Sequence, residues 1–174
     1  MDLNLLNQMN VKDFTLALEA IYESSPWVPT AAWQGIAFRD LGALHQEMVS
    51  AVKNAPLASQ LALLCAHPEL AGKEAEVGTL TLSSTKEQSS VGLNQLTSTE
   101  MVRIKTLNRA YRTKFGHPFI IAVRNHSKAG IFSALERRLL NSAETEHQQA
   151  LEEVYEIARW RLSLLFNQPI AKGD

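Results

Sequence analysis

The first information in this sequence comes from what it lacks. The 174 residues include a single cysteine, so no disulfide can form within the chain. One cysteine is typical of a reducing compartment, and we therefore predict a cytoplasmic protein. No apolar run approaches the roughly 20 residues that cross a bilayer, which predicts no membrane association. A hydrophobic content of 45% with few glycines and prolines is typical of a folded domain.

An excess of charge of one sign is also missing. The 17 Lys+Arg against 18 Asp+Glu give a formal net charge of −1, and basic residues cluster no further than pairs such as Arg137 and Arg138. Nothing resembles a phosphate-neutralising stripe, so we expect no nucleic-acid partner. Dinucleotide and phosphate loops, HExxH, CxxC and GxSxG are absent, and no two histidines stand four residues apart. We predict no cofactor and no metal.

Helical periodicity is what the chain does contain. Apolar residues spaced three and four apart predict helices that follow capping or breaking residues, namely Asn10, Asp40, Pro56, Thr97, Ser127 and Asn141. Thr97 and Glu100 have the spacing of a capping box, and Gly116 stands where a helix should end. Strand alternation with hairpin turns is missing. We predict an all-α fold, a single-domain multi-helix bundle over residues 1–174.

Some boundaries and segments are predicted separately. We expect the first main helix to end near Ser24, the helix after Pro56 to carry Cys65 in the core and to end at His67, and residues 26–29 to be irregular. The polar tract 73–92 is predicted to be an irregular connection that could contain short helices. The apolar run PFIIAV at 118–123 fits either a buried strand or an extended core segment.

Three groups of residues have a chemical interpretation beside a structural one. His67 ends an apolar helix before Pro68, where the helix dipole favours a charged imidazole and suits a proton donor; the alternative is a simple helix cap. Ser84, Glu87 and Gln88 could position that histidine, or could form an exposed polar loop. Arg161 emerges beside the apolar stripe of the last helix and needs an anion. A substrate clamp, an internal ion pair and a side chain extending to water remain open for it.

Taken together, four segments resemble one known family. They are HPELAGK at 67–73, SSTKEQSSVGL at 83–93, KFGHPFIIAVRNHS at 114–127 and EIARWRL at 156–162. They resemble the decarboxylases of 2-oxo-4-hydroxy-4-carboxy-5-ureidoimidazoline (OHCU) in uric acid breakdown, in order and spacing, over nearly the whole chain. The resemblance implies a cofactor-independent, usually homodimeric, all-helical enzyme that converts OHCU to (S)-allantoin and carbon dioxide.

The resemblance also implies roles for individual residues. His67 corresponds to the catalytic histidine and Arg161 to the active-site arginine, and Glu87 is the third catalytic residue we expect. The expected substrate-binding residues include two of these three, residues next to His67 and Glu87, and one further segment. They are Pro68, Ser84, Thr85, Lys86, Glu87, Gln88, Phe119, Ile120, Ile121, Ala122, Val123 and Arg161. Glu69 replaces an aspartate that many relatives carry, and His117 stands where an aromatic residue is frequent, so His117 could alter the rim of the pocket.

Two other functions remain as alternatives. The chain could be a non-catalytic helical interaction module whose His67, Glu87 and Arg161 are structural. It could also act on another small ureido or hydantoin-like compound. The absence of cofactor motifs fits a decarboxylase whose substrate supplies its own electron sink, because the OHCU ring carries a conjugated C=N and carbonyl system.

Overall fold

The computed structural model describes residues 1–72, 75 and 77–171, and within them all regular structure is helical. The helices are α1 (Leu3–Leu6), α2 (Val11–Ala17), α3 (Trp27–Ala32), α4 (Leu41–Lys53), α5 (Leu57–Cys65), α6 (Leu82–Ser90), α7 (Ser98–Phe115), α8 (Lys128–Arg138) and α9 (Ala143–Phe166), with a 3₁₀ turn at Val123–Asn125 before α8. The all-α prediction is confirmed. Lys73, at the end of the first motif, lies outside the described residues.

The chain groups into two compact units, which we describe one at a time. The first contains Met1–Ala66 together with Tyr155–Asp174, and the second contains His67–Val154. A single domain over residues 1–174 stays a prediction. In the described part of the chain, no helix has the length and apolarity needed to cross a membrane.

Four of the predicted helix starts are confirmed by side-chain caps: three are simple caps, and the fourth, at Thr97, is a capping box. Asn10 Oδ1 accepts the backbone N–H groups of Lys12 and Asp13, and Asp40 Oδ1 accepts that of Ala43 at 2.7 Å. Ser127 Oγ accepts the N–H of Gly130 at 3.1 Å. Each cap satisfies a backbone donor that the first helical turn leaves without a partner.

The cap of α7 is confirmed at both ends. Glu100 donates its backbone N–H to Thr97 Oγ1 at 3.2 Å, and Thr97 donates its own to Glu100 Oε2 at 2.8 Å, which completes the capping box. Lys128 Nζ lies 2.7 Å from Glu100 Oε1, and this hydrogen bond is the main reason why the pKa of Glu100 falls to about 2. Gly116 ends the helix with a φ of 81°, a left-handed conformation that glycine adopts without strain.

The first main helix is shorter than predicted. It ends at Ala17, and the chain then continues in turns to Ser24, whose φ is 46°. Ile21 donates to the carbonyl of Leu18 in these turns. Bonds to the third preceding residue keep nearly the same spacing as a helix, so Leu18 and Ile21 remain buried. The apolar pattern therefore predicted the burial correctly and the helix end wrongly.

Two further boundaries correct the sequence analysis. Residues 26–29 are not irregular, because α3 begins at Trp27 and includes Pro29. Proline fits the first turn of a helix, where its missing N–H has no helical partner to lose. The last helix is capped by Ser142 rather than Asn141, since Ser142 Oγ accepts the N–H of Thr145. Asn141 instead donates to the buried Glu146.

Cys65 is not a core residue. It is exposed on α5, in line with the exposed side chains of Leu57 and Leu61, while Leu63 and Leu64 are fully buried. Leucines stand on both the buried and the exposed face of α5, so its apolar pattern does not tell one face from the other, which explains the error. The helix ends as expected before His67, with Ala66 as its C-cap.

His117 lies in an aromatic cluster in the second unit. Its ring packs edge-on against Tyr111, with 5.6 Å between centroids, and stacks near Phe115 at 6.4 Å. Its Nδ1 is 2.9 Å from the carbonyl oxygen of Pro118, and only 2% of the residue is exposed. Burial, as the largest effect, lowers the pKa of His117 below its ordinary value.

We expect this histidine to make stability depend on pH. The unfolded chain binds a proton at His117 near its ordinary pKa of about 6.5, whereas the folded state resists it, so stability falls as the pH drops through that range. Urea unfolding at about pH 7.5 and about pH 5.5 should show a smaller loss for His117→Phe than for the parent. Burial also lowers the pKa of His45, so part of the dependence should remain. Equal losses in both proteins would contradict the prediction.

Candidate functional site

The polar tract forms a helix where the second motif lies. Thr81 caps α6 by accepting the N–H of Ser84 at 3.2 Å. Ser84 and Gln88 are buried and Glu87 is half-buried, because spacings of three and four residues bring them to one side of the helix. Thr85 and Lys86 are exposed. The sequence left short helices open in this tract and did not predict this one, since its buried face is polar and leaves no apolar stripe.

The chain segment after His67 is held from two sides. His67 itself is buried, with 6% of its surface exposed. Gln88 Oε1 accepts the backbone N–H of Ala71 at 3.0 Å, and Asn108 of α7 donates its Nδ2 to the carbonyl of Leu70 at 2.9 Å. Both bonds are buried, so water does not compete for their donors and acceptors. They fix the HPELAG loop, residues 67–72, against α6 and α7.

The HPELAG loop also depends on its own backbone conformation. Ala71 has a φ of 48°, in the left-handed region that costs a residue with a side chain about 1 kcal/mol. Gly72 donates its N–H to the carbonyl of Glu69 at 3.2 Å. A Cβ at Gly72 would lie 2.7 Å from Glu69 Cβ and 3.1 Å from the Glu69 carbonyl oxygen. A side chain at this position would therefore force Glu69 or the main chain of the loop to move.

The segment Phe119–Val123 is a buried extended stretch, not a strand. All five residues are at most 5% exposed, and the chain enters the 3₁₀ turn at Val123. Its main chain is held by side chains instead of a neighbouring strand. Arg138 Nη1 donates to the carbonyl of Ile120 at 2.8 Å, and Ala122 donates its N–H to Glu153 Oε2 at 2.9 Å.

Arg138 belongs to a buried ionic cluster. Its side chain is 1% exposed and that of Glu146 is 0% exposed, and Arg138 Nε donates to Glu146 Oε1 at 2.8 Å. Tyr111 donates its hydroxyl to the same oxygen, and Asn141 donates to Oε2 at 2.8 Å. Burial, reinforced by the bond to Glu146, raises the pKa of Tyr111. The guanidinium also lies over the Phe119 ring, 4.6 Å from its centroid.

The second unit thus brings three of the four motifs together. The HPELAG loop is bonded to α6 through Gln88, and α6 packs beside the 3₁₀ turn that follows Phe119–Val123. Gln88 directs its Oε1 at the loop, and its Nε2 donates to no residue in the described part of the chain. A buried histidine, a polar helix face and a held stretch of main chain can together bind and protonate a polar small molecule.

Arg161 lies in the first unit. It is 6% exposed, and its Nη1 lies 2.8 Å from Glu23 Oε2 and 3.3 Å from the carbonyl oxygen of Ala20. The internal ion pair considered from sequence is therefore present. A planar guanidinium has five donors, so one arginine can pair with a carboxylate and bind further acceptors at the same time.

The residues that hold the site carry no distinctive signal in the sequence. Arg138 resembles an ordinary cation at a helix C-terminus, and Glu146 and Glu153 resemble surface carboxylates on a long helix. Only folding shows that they are buried or half-buried partners. Within residues 1–72, 75 and 77–171, no cluster of three or more His, Cys, Asp or Glu side chains is placed to hold a metal ion.

Comparison with known proteins agrees with these features. The family model for OHCU decarboxylase matches residues 7–163. A protein of Halalkalicoccus jeotgali named 2-oxo-4-hydroxy-4-carboxy-5-ureidoimidazoline decarboxylase is 41% identical over 160 residues, which cover 92% of this chain and 89% of the relative. A solved (S)-allantoin synthase superposes with a TM-score of 0.76 at 30% identity, covering 95% of this chain and 54% of that one.

Some relatives are longer than this chain. The uric acid degradation bifunctional protein PucL of Bacillus subtilis is 40% identical over 169 residues, which are 97% of this chain and 33% of PucL. The chain thus spans about a third of that bifunctional relative and most of the Halalkalicoccus one. It belongs to the OHCU decarboxylase family, as the resemblance of the four segments implied.

Gly72 should be needed for the HPELAG loop to form. We expect Gly72→Ala to lower the free energy of unfolding by about 1–3 kcal/mol, because the added Cβ forces Glu69 and the main chain apart. Gly130→Ala in α8 is the matched control. Its Cβ would lie 3.3 Å or more from neighbouring atoms, so stability should change by less than about 1 kcal/mol. Urea unfolding measures both, and equal stability of the two variants would contradict the close contact.

Proposed function

We propose that the protein decarboxylates OHCU to (S)-allantoin and carbon dioxide in uric acid degradation, without a cofactor. The family and the activity for which its relatives are named support this function. The observation that carries it for this chain is the buried bond between Ala71 and Gln88. That bond joins the loop of the expected proton donor, His67, to the polar face of α6, which carries Glu87.

The reaction requires the protein to orient the substrate and to deliver one proton. The bond between the ring carbon and its carboxylate breaks, carbon dioxide leaves, and the electron pair enters the conjugated C=N and carbonyl system of the substrate. A proton then adds to one face of the ring, and the side from which it comes determines the enantiomer. Orientation and general acid catalysis are therefore the main contributions expected of the side chains.

Each proposed residue has one task in this scheme. Glu87 holds His67 in the orientation that engages the substrate near its 4-hydroxyl and carboxylate. Arg161 and Gln88 bind ring or ureido oxygens through N–H donors, and the charge of Arg161 favours the anionic substrate. Ser84, Pro68 and the main chain of Phe119–Val123 line the substrate. Thr85 and Lys86 are exposed on α6, so we assign them to the edge of the site.

Formation of optically active allantoin tests the proposed function. Freshly generated OHCU decays spontaneously to racemic allantoin, so the protein should accelerate the appearance of one enantiomer, followed by circular dichroism. An interaction module would leave the racemate unchanged. An enzyme for another ureido or hydantoin-like compound would act on that compound and not on OHCU.

His67→Ala and Glu87→Ala should each lower turnover of OHCU by about 100-fold or more while the protein stays folded, as loss of general acid catalysis does. Ser89→Ala is the control, since Ser89 is exposed on α6 and donates its hydroxyl only to the Lys86 carbonyl among the described residues. It should keep parental turnover. Near-parental rates in both the His67 and Glu87 variants would show that these residues are structural.

We also propose that the protein is a cytoplasmic homodimer. The exposed apolar side chains of Leu57 and Leu61 on α5, and of Leu164 near the end of α9, support an association surface on the first unit. Light scattering should give twice the chain mass of 19.3 kDa. Leu61→Glu and Leu164→Glu would then identify which helix contributes, because a charge buried in an interface favours the monomer. A parental mass of one chain would refute the dimer.

A further inference from the structure

The main-chain N–H and carbonyl of Ile121 differ from the polar groups on either side of them. Ile121 is 3% exposed, yet neither its N–H nor its carbonyl has a hydrogen-bond partner in the described part of the chain. The groups on either side of them are bonded, since the Ile120 carbonyl accepts from Arg138 and the Ala122 N–H donates to Glu153. More than nine in ten buried main-chain groups in proteins are paired, so a donor and acceptor left together point to a ligand.

Peptide planarity determines which way these two groups face. In a trans peptide, the carbonyl and the N–H of one plane point in opposite directions, and no cis peptide is found among the described residues. Arg138 binds the Ile120 carbonyl, so the Ile121 N–H in the same plane points away from Arg138. Glu153 binds the Ala122 N–H, so the Ile121 carbonyl in that plane points away from Glu153.

Arg138 and Glu153 act from the same side of the segment. Arg138 Nη1 lies 3.7 Å from Glu153 Oε1, and Gln149 donates to that oxygen at 3.1 Å. Arg138 is fixed further by its bonds to Glu146. Both Ile121 groups therefore face the opposite side, as an adjacent donor and acceptor on a held backbone. A cyclic amide or ureide edge, in which N–H stands next to C=O, has the complementary pair.

We infer that Arg138 and Glu153 are positioning residues, which hold the two peptide groups around Ile121 in the direction that substrate binding requires. The inference rests on the proposed function, which supplies both the cyclic substrate and its contact with the main chain of Phe119–Val123. Glu153 is the better residue to test, since its side chain is 15% exposed and Arg138 is completely enclosed with Glu146. Removing one partner of the enclosed pair would destabilise the whole unit.

Kinetics of Glu153 variants give the first test. Glu153→Ala frees the Ala122 N–H and lets the adjacent peptide rotate, so KM for OHCU should rise about tenfold or more while kcat changes less than about threefold. Glu153→Gln still offers an oxygen to the Ala122 N–H and should stay within about threefold of the parent in both constants. Glu144→Ala, which removes an exposed carboxylate of the same helix, should behave as the parent.

The NMR chemical shift of the Ile121 N–H gives a second test, because a residue that only stabilises the fold would not change its response to a ligand. Protein labelled with ¹⁵N-isoleucine should show the Ile121 N–H resonance shifting with hydantoin, which carries adjacent N–H and C=O groups. 1,3-Dimethylhydantoin, which lacks any N–H, should not shift it. The resonance is assigned by its loss in Ile121→Leu. Glu153→Ala should abolish the hydantoin response and Glu153→Gln should preserve it.

The outcomes separate this inference from the proposed function. If the parent forms no excess of one allantoin enantiomer, the proposed function fails whatever the variants do. If the parent is active but Glu153→Ala keeps its KM, or the Ile121 resonance ignores hydantoin, only the positioning role is overturned. Should Glu153→Ala fail to fold, the Glu153→Gln variant and the parental titration with the two hydantoins still decide the question.

Discussion

The second unit depends on one buried ion pair, between Arg138 and Glu146. Taking both charges out of water is unfavourable by several kcal/mol per ion, and the pair is tolerable only because the remaining hydrogen-bonding capacity is used. Tyr111 and Asn141 supply further donors to Glu146, and Arg138 uses its other nitrogen on the Ile120 carbonyl. The cluster thus links α7, α8 and α9 to an extended segment that has no strand partner of its own.

This arrangement gives an irregular segment the rigidity of a regular element. A β-strand keeps its shape through bonds to its neighbours, whereas Phe119–Val123 is held by charged side chains from α8 and α9. All five side chains of the segment are buried, so core packing and these hydrogen bonds together hold it in place.

The sequence was sufficient to predict the helices that a local cap marks, but not α1 or α3. Caps at Asn10, Asp40 and Thr97 are local signals, and a local signal needs no knowledge of the fold. The sequence was insufficient where only burial tells a core residue from an exposed one, or a helix from a polar loop. Leucines on both faces of α5 concealed that Cys65 is exposed, and the lack of an apolar stripe in α6 concealed where its helix lies.

The supports of the site were hidden for a related reason. Arg138 and Glu146 are eight residues apart across a turn between two helices, and nothing in their spacing separates a buried pair from two surface charges. The motif residues His67, Glu87 and Arg161 were identified because a family resemblance marks them. Physical reasoning alone left a helix cap, a polar loop and an internal ion pair as alternatives for these positions, and the pair of Arg161 with Glu23 is real.

The polar face of α6 has a consequence for the energetics of binding. A helix that buries Ser84 and Gln88 gains little from the hydrophobic effect, which holds most helices in place. Much of its local stability must then come from hydrogen bonds, including those made to whatever occupies the site. Ligand binding and local opening of α6 are thermodynamically linked, so amide hydrogen exchange along this one helix should slow as the site fills. The exchange rate of α6 would then report whether the proposed site is occupied.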